Sequence, residues 1–147
     1  MNTKISKTYA VDDVECTSAT SKVDARGQLH VFQSGTQFAF LPTRVFTVHA
    51  DKGAKRGHHA HKKCWQALSC ISGSCLVQYR DGLDRSETVL TTPNQVLIIP
   101  PGIWAEQQYN ADGTILMVLC DQPYDEKDYL RNWNEFLAWR SLATDKV

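Results

Sequence analysis

From about Gln28 to Cys120 the chain is cut by turn-forming residues into short apolar runs, and that rhythm limits what it can fold into. Arg44-Val45-Phe46-Thr47-Val48-His49 alternates and is rich in β-branched residues, as a half-buried strand should be. Cys64 to Ile71 is a second apolar run, and Ser72-Gly73 turns it into Ser74-Cys75-Leu76-Val77-Gln78-Tyr79. Asp81-Gly82 is a hairpin signal, with Ser86 to Leu90 as the returning strand. Gln95-Val96-Leu97-Ile98-Ile99 is halted by Pro100-Pro101-Gly102, and Thr114 to Cys120 forms the last of the series. Many short strands at this spacing predict an all-β sandwich or barrel rather than alternating βα units.

The two ends differ from this middle. Asp125-Glu126-Lys127-Asp128 precedes Tyr129, Leu130, Trp133, Phe136, Leu137 and Trp139, which recur near helical spacing. The pattern predicts one amphipathic helix over 125–140, with acidic residues in its first turn, packed on the barrel. The N-terminal segment, residues 1–25, is thin in apolar residues and suits an edge strand, either in its own sheet or exchanged with a dimer partner. The 147 residues make a single domain, 1–147, long enough to bury a core without disulfides.

Composition narrows the partners. Sixteen basic and sixteen acidic residues leave no formal net charge, and no basic run supports a nucleic-acid partner. No apolar stretch approaches the ~20 residues a membrane span needs, and the amino terminus lacks the apolar core of a signal peptide. The five cysteines are odd in number and contain no Cys-x-x-Cys pair, which reads as buried reduced thiols in a cytoplasmic protein. Cys64, close to a histidine pair, is the candidate for a reactive one.

That pair is His59 and His61, in the stretch Arg56-Gly57-His58-His59-Ala60-His61-Lys62. Residues two apart on a strand share a face, so both imidazoles project into the same space. Such a pair serves either a metal or proton transfer. The surroundings resemble the first motif of the cupins: Gly53, His59, His61, Gln66 and Gly73 fall on its positions, with Gln66 where a metal-binding cupin has glutamate. The second motif would fall on Asn94, where it has glycine, then Pro100-Pro101-Gly102, and then Ala105, where it has histidine. Two neutral imidazoles without the third histidine or the carboxylate make a poor transition-metal site, so no metal and no cofactor is expected. The remaining reading is acid–base chemistry near neutral pH. Arg56 beside Gly57 suits a phosphate held by bidentate hydrogen bonds, and Lys55, Lys62 and Lys63 are further cations. Trp65, Trp104 and Tyr79 are candidates for stacking on a sugar or base.

A closer resemblance covers about residues 28 to 140. Arg44-Val45-Phe46, the His59-Ala60-His61-Lys62 block, Gly73-Ser74-Cys75, Pro101-x-x-Trp104 and the tail from Tyr124 to Phe136 are similar to the WxcM-like cupins, and more narrowly to the dTDP-4-oxo-6-deoxyglucose 3,4-ketoisomerases. The resemblance implies a homodimeric cupin jelly roll without metal. Its activity would be conversion of a nucleotide-linked 4-keto sugar to the 3-keto form, supplying 3-amino sugars for lipopolysaccharide O-antigen or S-layer glycans. It also implies His59 and His61 as the catalytic pair and Arg56 at the pyrophosphate; Phe46, Lys62, Gln66 and Trp104 complete the expected substrate-binding set. Phe46 stands where many relatives carry tyrosine, and Ala105 where many carry histidine. Two alternatives stay open: a nucleotide-sugar 3,5-epimerase on the same fold, and a sugar-binding cupin without catalysis.

Overall fold

A computed structural model describes residues 8–144, and side chains for 8–141; the ends of the chain, 1–7 and 145–147, lie outside the described residues. The chain begins with β1 (Glu15–Ser18) and a hairpin of β2 (Thr20–Asp24) and β3 (Gly27–Val31). β4 (Arg44–Ala50), β5 (Lys55–His61), β6 (Gln66–Ser72), β7 (Cys75–Arg80) and β8 (Arg85–Leu90) follow. Then come β9 (Gln95–Ile99), β10 (Trp104–Tyr109), β11 (Thr114–Cys120), the two-residue β12 (Tyr129–Leu130) and the helix α1 (Trp133–Thr144).

The strands form two five-stranded sheets, β1-β9-β6-β11-β4 and β12-β5-β10-β7-β8, with β2-β3 as a separate ribbon. All the named strands pair antiparallel, and consecutive strands repeatedly change sheet, which is the jelly-roll arrangement expected of a cupin. Pairing fixes which side chains enter the barrel. Leu68 and Cys70 of β6, Leu116 and Val118 of β11, Val77 and Tyr79 of β7, and Tyr109 of β10 form one buried cluster between the sheets. β6 is buried on both faces, because Ala67 belongs to a second cluster with Val96, Ile98, Leu119 and Phe38 outside the first sheet. A third cluster lies outside the second sheet, where Ala60, Trp104 and Leu130 meet Phe136 of α1.

The C-terminal segment corrects the sequence reading. Instead of one helix over 125–140, residues 126–128 form a single 3-10 turn, β12 pairs with β5, and the helix starts only at Trp133. Asp125 and Asp128 do not serve a helix dipole. The Asp125 side chain accepts from the Lys127 N–H, and Asp128 accepts from the Lys63 N–H at 2.7 Å. Asn132 then starts α1 by accepting from the Glu135 N–H through its side chain. The apolar spacing is helical only from Trp133 onward; Tyr129 and Leu130 alternate as strand residues do, one toward the barrel and one into the outer cluster. Arg140 staples α1 down by donating to the carbonyls of Tyr9 (2.8 Å) and Gly102 (2.6 Å).

At the other end, β1 pairs with β9 of its own chain, Glu15 opposite Ile98. The ribbon β2-β3 supplies no residue to the three buried clusters, and Val23 and Leu29 on it are exposed. No described helix is long and apolar enough to cross a membrane.

Candidate active site

The catalytic candidates are set by β5, and β5 is not a regular strand. Its ladder with β10 runs Ala105 opposite His59 and then Glu106 opposite Gly57, so His58 is an extra residue on one side, a β-bulge. The bulge changes parity. His59 and Arg56 are three residues apart and would face opposite ways in an unbroken strand. Here Arg56 lies opposite Gln107 and His59 opposite Ala105, both inward positions of β10, so guanidinium and imidazole share the barrel side.

They line a cavity of about 430 Å³ together with Lys55, Phe46, Gln66, Gln107, Tyr129 and Arg131, over a floor of Val48, Leu68, Leu116 and Val118. The cavity wall carries the cations Lys55, Arg56 and Arg131 and no carboxylate. Such a mouth favours an anionic ligand. Arg131 is already bonded by Glu126 (2.6 and 3.0 Å) and lies 4.3 Å over the Tyr129 ring, which leaves Arg56 and Lys55 for the anion.

Beneath the mouth the two imidazoles meet edge to face, ring centres 5.0 Å apart. Tyr129 closes over both, 5.1 Å from His59 and 4.4 Å from His61. The hydrogen-bond partners assign the tautomers. His59 Nδ1 lies 3.0 Å from the Gly57 carbonyl, which can only accept, so Nδ1 carries the proton and Nε2 keeps its lone pair. His61 Nδ1 lies 2.9 Å from the Asp128 carboxylate and donates to it in the same way. The His61 Nε2 is buried and meets no polar partner among the described residues.

The electrostatics separate the pair. Burial, reinforced by His61, Arg131 and His58 nearby, pulls His59 from 6.5 to about 4 despite the Gly57 carbonyl, so this imidazole is neutral at physiological pH and free to accept a proton. Burial pushes the Asp128 carboxyl up, but the hydrogen bonds from His61 and the Lys63 N–H outweigh it and hold the group below its ordinary range. An ionised Asp128 fixes the orientation of the His61 ring.

Of the residues named from sequence, His59, Arg56, Phe46 and Gln66 line the cavity, and His61 stands directly behind His59. Lys62 and Trp104 do not. Lys62 faces a separate depression with Thr8, Lys63 and Trp139, because it follows the last paired residue of β5. Trp104 is buried on the outside of the second sheet against Trp133 and Phe136. Tyr79 is a core residue bonded to Thr88, and Trp65 packs against Tyr9 on the outer face of the first sheet. Cys64 is buried; its bond to the Cys120 sulfur, with burial, pushes its thiol up and away from reactivity.

Asp128, Tyr129, Arg131 and Gln107 were missed. The acidic-aromatic tail was the signal for the first three, hidden by the apparent helical spacing. One donor group, His61, Cys64 and Asp128, brings its ligand atoms within 4.8 Å of one another. Asp128 and His61 are already bonded to each other, and this group shares only His61 with the cupin metal positions, where Gln66 and Ala105 supply no imidazole or carboxylate.

Fold and site together define a cupin whose barrel holds a histidine pair under a cationic mouth. Residues 12–141 match the family described as FdtA: WxcM-like, C-terminal, and the chain belongs to that family. A TDP-4-oxo-6-deoxy-alpha-D-glucose-3,4-oxoisomerase of Aneurinibacillus thermoaerophilus is 36% identical over 115 residues, 78% of this chain and 83% of that protein. A 3,4-ketoisomerase from Helicobacter canadensis superimposes with a TM-score of 0.84 at 31% identity, over 88% of this chain and 98% of that one. The sugar 3,4-ketoisomerase QdtA from Thermoanaerobacterium thermosaccharolyticum, solved in complex with TDP, gives 0.85 at 28% identity, over 90% and 97%. The rmlC epimerase of Mycobacterium tuberculosis, at 0.73 and 18% identity, shares the fold.

Proposed function

We propose that this protein is an isomerase that converts a TDP-linked 4-keto-6-deoxyhexose to its 3-keto form. The observation that carries the reading is His59, a neutral imidazole with its Nε2 lone pair available, in a cavity whose charged lining is entirely cationic. Arg56 and Lys55 hold the pyrophosphate and place the sugar over the histidines. The proton on C3 is acidic because C3 adjoins the C4 carbonyl, and His59 takes it. O4 is protonated as the enediol forms, and the donor regains its proton from O3 as the ketone appears at C3. A proton is returned at C4, and no net charge or redox change results. His61, oriented by Asp128, is the partner on the O4 side.

Incubation with TDP-4-keto-6-deoxyglucose in D₂O, followed by NMR, tests this. Deuterium at C4 with a ketone at C3 is expected. Exchange at C3 and C5 without ketone migration would establish an epimerase instead, and binding without any exchange a non-catalytic cupin.

The reading extends to the setting. The exposed apolar ribbon β2-β3, outside every buried cluster, supports a homodimer in which this ribbon is covered by the partner. Light scattering should give twice the chain mass. Cysteines without disulfides and a nucleotide-activated substrate support a cytoplasmic enzyme, and a 3-keto product suits an aminating step toward O-antigen or S-layer sugars. Disruption of the gene in a glycan-bearing host should remove the 3-amino sugar from its surface polysaccharide.

A further inference from the structure

We infer that Glu106, on the outer face of the second sheet, is a positioning residue for the base His59 and the anchor Arg56, acting through His58 and the bulge of β5. The inference deepens the isomerase reading and rests on it for the roles of those two residues.

The bulge needs a fixed point. Gly57 and His58 are both left-handed, at φ +89° and +57°, and His58 is the only non-glycine at positive φ among the described residues. Glycine is required at 57, since a Cβ there would stand 2.9 Å from the Ala105 carbonyl and the Gln107 side chain. A histidine at 58 is different, because L side chains disfavour that conformation and the surroundings must hold it.

Glu106 supplies the hold. Its Oε1 accepts from His58 Nδ1 at 3.1 Å. The same oxygen accepts from Trp104 Nε1 and from the Arg80 guanidinium, each at 3.1 Å. Both of these donors are themselves fixed: Trp104 packs on Trp133 and Phe136 of α1, and Arg80 lies 4.2 Å over the Trp133 ring. One carboxylate oxygen therefore ties His58 to the helix-covered outer wall.

On the inner side, the peptide that this arrangement turns presents the Gly57 carbonyl to His59 Nδ1 at 3.0 Å, which puts the working lone pair on Nε2. The same turn places Arg56 opposite Gln107 and into the cavity. Release of His58 would let β5 relax toward a regular strand. His59 would lose its Nδ1 acceptor and Arg56 its side of the sheet.

The test is Glu106→Leu, with Glu106→Gln as a milder variant of the same size. ¹⁵N NMR of the imidazoles reports the His59 tautomer whether or not the enzyme turns over. Glu106→Leu should shift His59 toward a tautomer mixture and lower kcat/KM by up to on the order of 10²-fold, the cost of a misplaced catalytic group. Adding His58→Gly, which adopts positive φ without an anchor, should restore the tautomer and most of the activity. Loss through general disruption of the outer wall would not be rescued that way. An unchanged His59 signal in both Glu106 variants, or no rescue by His58→Gly, would overturn the proposal. A tautomer shift in a protein whose parent shows no isomerase activity would support the positioning role and overturn the isomerase reading instead.

Discussion

His59 and His61 are the same residue type on the same face of one strand, yet the fold gives them different surroundings. His59 lines the cavity and spends its Nδ1 proton on a backbone carbonyl of its own bulge. His61 is 5% exposed and spends its Nδ1 proton on Asp128, a carboxylate from the far end of the chain. One imidazole is thereby kept neutral beside the cavity; the other is braced by a negative charge. Two histidines that are equivalent in the motif acquire different partners and different electrostatics only when the rest of the chain closes around them.

The comparison breaks most severely at the base. His59→Asn should lower kcat by ~10²–10⁴-fold, the range for a positioned acid–base group, with TDP binding retained because Arg56 and Lys55 are untouched. Steady-state kinetics with calorimetry of TDP binding separates the two effects. Next comes the brace. Asp128→Asn keeps the shape but removes the charge and the fixed orientation, and kcat should fall roughly 10–100-fold with little change in KM.

The pH dependence sharpens the distinction further. A base pulled down to about 4 is unprotonated in the free enzyme well below the ordinary 6.5. The acid limb of kcat/KM should therefore lie near pH 4, with His61, His58 and Arg131 as the charges facing the ring. The sign for stability follows from the same shift. The unfolded chain binds a proton at His59 below about 6.5 and the folded chain does not, so the stability of the fold decreases as pH drops from 6.5 toward 4. Melting temperature against pH, in the parent and in His59→Asn, measures that contribution as a difference. The smallest effect is expected outside the pair: Lys62→Ala, directly after His61 in sequence yet facing another depression, should leave kcat and KM within about twofold.

Local chemistry explains which parts were legible. Alternation and turn residues marked β4, β6, β7, β8, β9 and β11 almost to their ends, because each is closed by glycine, proline or aspartate and all but β8 carry an apolar run. The histidine pair and its inward face were legible for the same reason. β10 was obscured by its polar sequence Glu106-Gln107-Gln108, which the barrel accepts because Glu106 faces the outer wall and Gln107 the cavity. The tail was misread because Tyr129 and Leu130 happen to continue the spacing of the helix that follows, while the deciding contact, Asp128 to His61, joins residues 67 apart. The bulge was invisible for a different reason. Its mark is a glycine before a histidine, and only pairing with β10 shows that parity changes there and brings Arg56 inward.

The most direct measurement of the claim that the two histidines have separate duties is isotope exchange at C3. Purified His59→Asn and His61→Asn proteins would be incubated with TDP-4-keto-6-deoxyglucose in D₂O and followed by ¹H NMR. If His59 is the base and His61 serves the O4 side, His61→Asn retains slow loss of the C3 proton signal while ketone migration stops, and His59→Asn shows neither. Retention of C3 exchange in His59→Asn with its loss in His61→Asn would contradict the assignment.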